Sequence, residues 1–391
     1  MPNNLPSPLC PVYKKCGGCQ LQNMSYPDQL RYKQGRMIGL LGKYCRVSDI
    51  VGMEVPYHYR NKVQAAFGRD RRGIISGVYQ SSSHRIVPVD NCLIEDEKAD
   101  AVIVTVRKLM ASFKLEPFND NTLRGFMRHV LVKRSFSTGQ LMVVLVTGTA
   151  VFPCKNDFIA ALRRAHPEIT TVVQNINDKF TNLVLGKRSI VLFGEGKIED
   201  ELLGCIFRIS PKSFYQINPV QTEKLYSLAM DGLCLTGNET VLDAYCGTGT
   251  IGIVAAKRGA KKVIGVELNA DAVQDAKENA ALNNVRNIEF ICDDASRFIM
   301  RLAAEKVRLD AVIMDPPRAG STVEFMKAVI KLAPKRVVYV SCNPETLARD
   351  LNYFVKHGYK AVKITPVDMF PHTSHVEAVV QLQQLSSPRG E

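Results

Sequence analysis

The sequence predicts an α/β protein whose C-terminal half is a doubly wound, mostly parallel, Rossmann-like sheet, preceded by a mainly β domain and a cysteine-bearing N-terminal segment. Three observations predict it. Beyond about residue 215, short apolar runs alternate with helix-patterned stretches: ETVLDAYC then TIGIVAAKRGA, KKVIGVEL then ADAVQDAKENAALN, KRVVYVSC then PETLARDLNYFVKHG. Between about 50 and 210 the pattern is instead short β segments punctuated by Gly and Asn. The 391 residues exceed one ordinary domain. We expect divisions at 1–50, 51–210 and 211–391.

Each element has a local reason. Residues 1–22 are rich in Pro, Gly and Cys and show little periodicity. Residues 26–42 (YPDQLRYKQGRMIGLLG) have helical spacing and stop near Gly42. KVQAAFG, GIISGVY, HVLVKRS, QLMVVLVTG and TVVQNIN read as strands, with helices near 95–113 and 155–166. In the second half, strands alternating with helices specify parallel pairing, and ligands bind at the carboxyl ends of such strands.

Composition excludes several classes. Hydrophobic residues at 46% and charged residues at 23% exclude bulk disorder. No apolar run reaches membrane-spanning length; the longest candidate, 140–154, is short and broken by Thr and Gly. The opening MPNNLPSPLC has neither a basic nor an apolar leader region, and the eleven cysteines are an odd number. Both point to a reducing cytoplasm, with Cys used for metal or catalysis rather than disulfides. No feature implies a membrane or a protein partner.

The formal charge of +13 is lopsided. Residues 1–210 hold 29 Lys and Arg against 18 Asp and Glu, a net of +11; the remainder nets only +2. Arg69, Arg71, Arg72, Arg124, Arg128, Lys133 and Arg134 cluster in that half. Such a field suits a polyanion such as RNA, although a merely solvated surface would look the same.

The first strand of the second half runs into Asp243-Ala-Tyr-Cys-Gly247-Thr-Gly249-Thr-Ile-Gly252. The glycines permit a tight turn and close approach of a ligand to the backbone at a helix start. The second strand ends in Glu267, a carboxylate able to accept from two ribose hydroxyls, and the third in Asp293-Asp294, near where an adenine edge would lie. G-x-G-x-x-G plus an acid also describes nicotinamide binding. Asp243 ahead of the glycines, and Asp315-Pro-Pro-Arg318 ending the fourth strand, favour S-adenosylmethionine.

The fifth strand ends in Ser341-Cys342-Asn343-Pro344. A Cys there faces the cofactor crevice as a candidate nucleophile. The C5 carbon of uracil cannot attack a sulfonium methyl unaided, whereas a thiolate on C6 makes C5 enolate-like. Glu377, in Phe370-Pro-His-Thr-Ser-His-Val-Glu377, leads into the last strand and can take the C5 proton. An isolated Cys is more often a small buried hydrophobe; its place at a strand end argues otherwise.

Cys10, Cys16 and Cys19 lie close together near the N-terminus, and Cys92 is the expected fourth thiolate of a metal centre. Four thiolates suit either tetrahedral zinc or a [4Fe–4S] cluster. Cys45, Cys154, Cys205, Cys234, Cys246 and Cys292 lack such spacing.

Together, Phe214-Tyr215-Gln216-Ile-Asn218, DAYCGTGT, DPPRAG, SCNPETLARDL and FPHTSHVE resemble the RNA (uracil-5-)-methyltransferase family, most nearly its 23S ribosomal RNA members. With the Cys residues, the resemblance covers nearly the whole chain. It implies Cys342 as nucleophile and Glu377 as proton acceptor. It implies Gln216, Tyr245, Glu267, Asp315 and Asp294 as S-adenosylmethionine contacts. It implies a [4Fe–4S] cluster on Cys10, Cys16, Cys19 and Cys92. The implied substrate is a uridine of 23S rRNA; the T-loop of tRNA is the nearest alternative, and a nicotinamide oxidoreductase or a non-catalytic iron–sulfur RNA-binding protein are more distant ones. Many relatives open with a small RNA-gripping β-barrel, whereas this sequence opens almost directly on the Cys residues. RNA affinity is therefore expected from the basic first half, with the target base splayed out to reach Cys342.

Overall fold

The computed structural model describes residues 9–80, 83 and 85–385. Residues 1–8, on which the reading of the opening as leaderless rests, and the ends of the first and last expected domains lie outside the described residues.

A single helical turn, α1 (Tyr13–Cys16), closes on Gly17 in the left-handed region. Helix α2 (Tyr26–Leu41) begins where Ser25 accepts from the Asp28 amide and carries Pro27 in its first turn. It buries Gln29, Lys33, Met37 and Leu41, one face at a spacing of four.

The central sheet comprises β1 (Lys62–Asp70), β2 (Gly73–Tyr79), β3 (Ile86–Pro88), β4 (Met127–Arg134), β5 (Leu141–Thr147), β6 (Ile169–Ile176) and β7 (Arg188–Phe193). Its order is β3-β2-β1-β4-β5-β6-β7. Every neighbour is antiparallel except β5 and β6, which α4 (Lys155–Ala165) joins by a crossover. Helix α3 (Glu97–Ser112) starts on an Asp96 cap and packs with α4 over one face. Strand β5 is buried along its whole length and β4 along nearly all of it, which is why they read as unbroken apolar runs.

A hairpin of β8 (Ile198–Leu202) and β9 (Cys205–Ile209) follows. It turns on Leu203 and Gly204, both at positive φ. Then come α5 (Pro219–Leu233), β10 (Thr240–Ala244), α6 (Thr250–Lys257), β11 (Lys262–Glu267), α7 (Ala270–Leu282), β12 (Ile288–Cys292), α8 (Ala295–Ala304), β13 (Ala311–Met314), α9 (Val323–Leu332), β14 (Arg336–Ser341), α10 (Pro344–Lys356), β15 (Tyr359–Val367) and β16 (Glu377–Gln384). The sheet order is β12-β11-β10-β13-β14-β16-β15. Its first five strands are parallel, and β16 inserts antiparallel between β14 and β15. The order reverses between β10 and β13, and ligands of open α/β sheets bind at such a switch point.

Two packings bind the N-terminal parts to this sheet. Val47 and Val51 pair in parallel with Ile364 and Val367 at the β15 edge. The β8–β9 hairpin sends Ile198, Leu202, Phe207 and Ile209 into the core shared with α5, α6 and α7. Asn283 and Asn279 then accept from the Ile206 and Arg208 amides.

Candidate active site

The polar residues expected at strand ends converge on one rim of the C-terminal sheet. Asp243, near the end of β10, is 1% exposed, and burial pushes its carboxyl up to about 8 against the Gly252 amide. A Cβ on Gly252 would meet Asp243 Oδ2 at 2.7 Å, so the third glycine is a packing requirement. Gly249 has φ +80°, and a Cβ there would meet the Phe290 ring at 2.7 Å. At the end of β11, Glu267 accepts from the Gly247 amide at 3.1 Å and the Asn269 amide at 2.9 Å. One carboxylate thus braces the glycine loop and the start of α7.

A crevice of about 470 Å³ opens above this loop, lined by Gly247, Thr248 and Glu267 and by Lys187, Lys212 and Phe214. It adjoins the expected cofactor site but does not include Cys342, Glu377, Asp315, Gln216 or Tyr245. Tyr245 does not line it; burial pushes its hydroxyl up, and its ring lies 5.5 Å from Phe325. Asp294 caps α8 by accepting from the Arg297 amide at 2.9 Å. Its neighbour Asp293 pairs with Arg297 and Arg301. Gln216 is 9% exposed, and its carbonyl accepts from Asn61 Nδ2 at 3.1 Å.

The thiol and carboxyls expected to react lie near the end of β14. Ser341 pairs with Ala378 in the antiparallel ladder, so Cys342 and Glu377 are each one residue beyond that pair, and the Glu377 field acts on the Cys342 thiol. Asp315 follows β13, the strand on the other side of β14. Burial pushes the Cys342 thiol up, and the negative fields of Glu377 and Asp315 add to it; its own amide and Arg318 oppose. Glu377 is pushed up to about 8, first by burial and then by Asp315. Asp315 keeps part of its surface open, yet burial pushes it up to about 7. Arg318 lies at the same rim. Its carbonyl accepts from Asn343 Nδ2 at 3.0 Å, and its guanidinium lies 3.3 Å from His375 Nδ1. A thiol, two carboxyls and a guanidinium on one rim can perform nucleophilic addition and proton transfer.

Sequence reasoning missed several residues that build this rim. Tyr226 of α5 is buried within the fields of Asp315, Asp243 and Glu377, with its hydroxyl 3.2 Å from Thr250 Oγ1. His372, fully buried at positive φ, donates its amide to Gln29 Oε1 at 2.8 Å, stacks on Tyr57 and lies 3.0 Å from the Pro56 carbonyl. Of these, only His372 stood inside a quoted motif.

The tRNA (uracil-5-)-methyltransferase family model matches residues 25–385. The chain belongs to this family. It is 43% identical over 381 residues to an uncharacterized RNA methyltransferase of Clostridium tetani, covering 96% of this chain and 83% of that one. It is 44% identical over 379 residues to one of Listeria innocua, covering 96% and 83%. Among solved structures it is similar to the Pyrococcus abyssi tRNA (uracil-54, C5)-methyltransferase in complex with S-adenosyl-L-homocysteine. That match has a TM-score of 0.79 and 30% identity and covers 96% of this chain and 86% of that one. Membership of the tRNA (uracil-5-)-methyltransferase family makes the chain a methyltransferase and removes the nicotinamide reading of the glycine loop.

The four thiols expected to bind metal do not form a ligand set here. Among the described residues, no group of three or more His, Cys, Asp or Glu side chains is arranged to hold a metal ion. All eleven cysteines are unpaired. The thiols nevertheless share a neighbourhood: Cys10 and Cys16 raise the Cys19 thiol, and Cys19 and Cys92 pack against the same Met53, Tyr59 and Ile94. Burial pushes the Cys19 thiol up to about 12 and the Cys92 thiol well above its usual range. The donor chemistry fits a thiolate-ligated centre; the side-chain arrangement is not that of a bound one. Among the described residues, no helix is long and apolar enough to cross a membrane.

Proposed function

We propose that this methyltransferase methylates C5 of a uridine in RNA through a covalent adduct on Cys342. One observation supports the reading: the β14–β16 register ends at Ser341–Ala378, one residue from both Cys342 and Glu377, and the fields of Glu377 and Asp315 act on the Cys342 thiol. The Cys342 thiolate adds to C6, forming the S–C6 bond and moving the C5=C6 pair onto C5 and the O4 carbonyl. Glu267, Asp315, Gln216, Tyr245 and Asp294 would hold S-adenosylmethionine, which would supply an electrophilic methyl group to that carbon and leave as S-adenosylhomocysteine. Glu377 then takes the C5 proton, the released pair restores C5=C6, and the S–C6 bond breaks.

The substrate we favour is 23S rRNA, because the four-thiol pattern resembles its methyltransferases. Cys10, Cys16, Cys19 and Cys92 would hold a [4Fe–4S] cluster whose contribution is to brace the N-terminal segment; no step above uses it. A second reading, the T-loop of tRNA, is supported by the similarity to the Pyrococcus abyssi enzyme, whose substrate is tRNA. Transfer of labelled methyl groups to unmodified total RNA, separated by size afterwards, tests both. Label in the large ribosomal band supports the first, label in the tRNA band supports the second, and no label in RNA overturns the reading.

A further inference from the structure

The loop between β6 and β7 is hydrogen-bonded from beneath by buried polar side chains, yet it holds two large apolar side chains in water. Phe180 is 79% exposed and Leu183 is 72% exposed. Buried polar side chains are dedicated to the backbone beneath them. Arg128, its side chain 4% exposed, donates to the carbonyls of Asn177 and Lys179, both at 2.8 Å, and is itself anchored by Asp120 and the Phe118 ring. Asn177 donates Nδ2 to the carbonyls of Leu183 at 2.7 Å and Val184 at 3.0 Å. Asn175 accepts from the Gly186 amide at 2.6 Å. Polar groups buried this way fix a backbone shape, and an exposed ring on a fixed backbone loses little entropy on binding.

The loop is basic and continuous with the crevice. From Asp178 to Arg188 it carries Lys179, Lys187 and Arg188 against the single acid Asp178. Lys212 Nζ donates to the Lys187 carbonyl at 2.9 Å, tying the loop to the segment that presents Phe214, itself 63% exposed. Lys187, Lys212 and Phe214 line the crevice together with Gly247 and Glu267. Rings interleaved with cations are the pattern that stacks bases and neutralises phosphates of single-stranded nucleic acid.

We infer that the β6–β7 loop is a stacking platform for the unpaired RNA flanking the target uridine, with Phe180 as its principal contact. The inference rests on the RNA reading above and adds a surface outside the reacting centre. A base stacks on Phe180, and Lys179, Lys187 and Lys212 take the phosphates on either side.

The test compares Phe180→Ala and Phe180→Tyr with the parent protein. The probes are a fluorescein-labelled single-stranded oligouridylate and a blunt RNA duplex of equal charge. Phe180→Ala should weaken the oligouridylate about tenfold, the scale of one lost base–aromatic stack, while Phe180→Tyr binds as the parent does. Duplex affinity, KM for S-adenosylmethionine and thermal midpoint should not move, because Phe180 touches none of them. Unchanged oligouridylate binding, or equal losses on both probes, overturns the platform. A parent protein that methylates RNA beside an unaffected Phe180→Ala would sink the platform and leave the function standing. A parent protein that binds the oligouridylate through Phe180 but methylates no RNA would sink the function and leave the platform.

Discussion

Lys33 of α2 and Asp368, just past the end of β15, form an ion pair of 2.5 Å with neither side chain exposed. The Lys33 ammonium also donates to the Phe370 carbonyl at 3.0 Å. Burial pulls Lys33 down and pushes Asp368 up, each against the attraction of its partner. Around the pair, Leu21 donates its amide to the His372 carbonyl at 2.9 Å, and Arg36 donates to the Ser374 carbonyl at 2.9 Å. The N-terminal segment is therefore the wall that shapes residues 368–376, the stretch that delivers Glu377.

Removing one partner of a buried pair leaves the other uncompensated. Lys33→Met should cost about 3–5 kcal/mol of unfolding free energy, with the Lys33→Met/Asp368→Leu double variant recovering much of it. Urea denaturation of the three proteins measures this. A single variant as stable as the parent would show that the pair carries no folding energy.

Cys342 and Glu377 are separable by what each leaves behind. Cys342→Ala should reduce methyl transfer to background and form no covalent complex with 5-fluorouridine RNA, because the thiolate proposed to add to C6 is removed. Glu377→Gln should transfer once and then stall as a denaturation-resistant enzyme–RNA adduct. Its steady-state turnover should fall roughly 10²–10⁴-fold, the usual scale for a lost general base. Prompt release of methylated RNA by the Gln variant would assign the proton to another base.

The parallel strands were legible because β10, β11, β13 and β14 are buried enough to read as apolar runs, and strand-end chemistry is local: Glu267 ends its strand, and Asp315 and Cys342 directly follow theirs. Helix α2 was legible as a helix, but the burial of its polar Gln29 and Lys33 was not. Their partners are more than 330 residues away, and nothing in a helical pattern reports such a distance. Asp294 was legible as a strand-end acid, but its cap on α8 was not, since one carboxylate can serve either end. The hairpin 198–209 reads as the tail of a β region, whereas its apolar face is satisfied only against α5, α6 and α7.

The raised carboxyls at the rim make two linked claims about pH. Glu377 ionises near 8 in the folded chain against its ordinary value of 4.5. It must be a carboxylate to take the C5 proton, so kcat/KM for RNA should rise between pH 6 and 8. The high Cys342 thiol pushes the rise in the same direction. Stability runs the opposite way. The folded value lies above the unfolded one, so the stabilisation is fully present below about pH 4.5 and is lost as pH climbs to about 8. Glu377→Gln should therefore gain stability relative to the parent across that window. A pH–rate profile and paired melting curves test both, and a flat rate from pH 6 to 9 would contradict the base assignment.

Lys133 of β4 gives the last prediction. Its side chain is buried, and Nζ donates to the carbonyls of Ser210 and Ser213, both at 2.8 Å. Those carbonyls belong to the segment that leads into Phe214 and Gln216, whose far side is held by Asp275 through the Ser210 and Ser213 hydroxyls. Burial, and then Lys62, pull the ammonium down to about 7 from 10.5. Here the folded chain gives up a proton that the unfolded chain keeps, so the Lys133 contribution to stability grows as pH rises from about 7 toward 10.5. Lys133→Met removes both donors and leaves two carbonyls facing an apolar side chain. KM for S-adenosylmethionine should rise several-fold while the single-turnover rate at saturating donor changes little, because the segment is loosened and the reacting groups are not. The stability gap to the parent should widen between pH 7 and 10. A Met variant with unchanged KM would show that Asp275 and Asn61 hold the segment without Lys133.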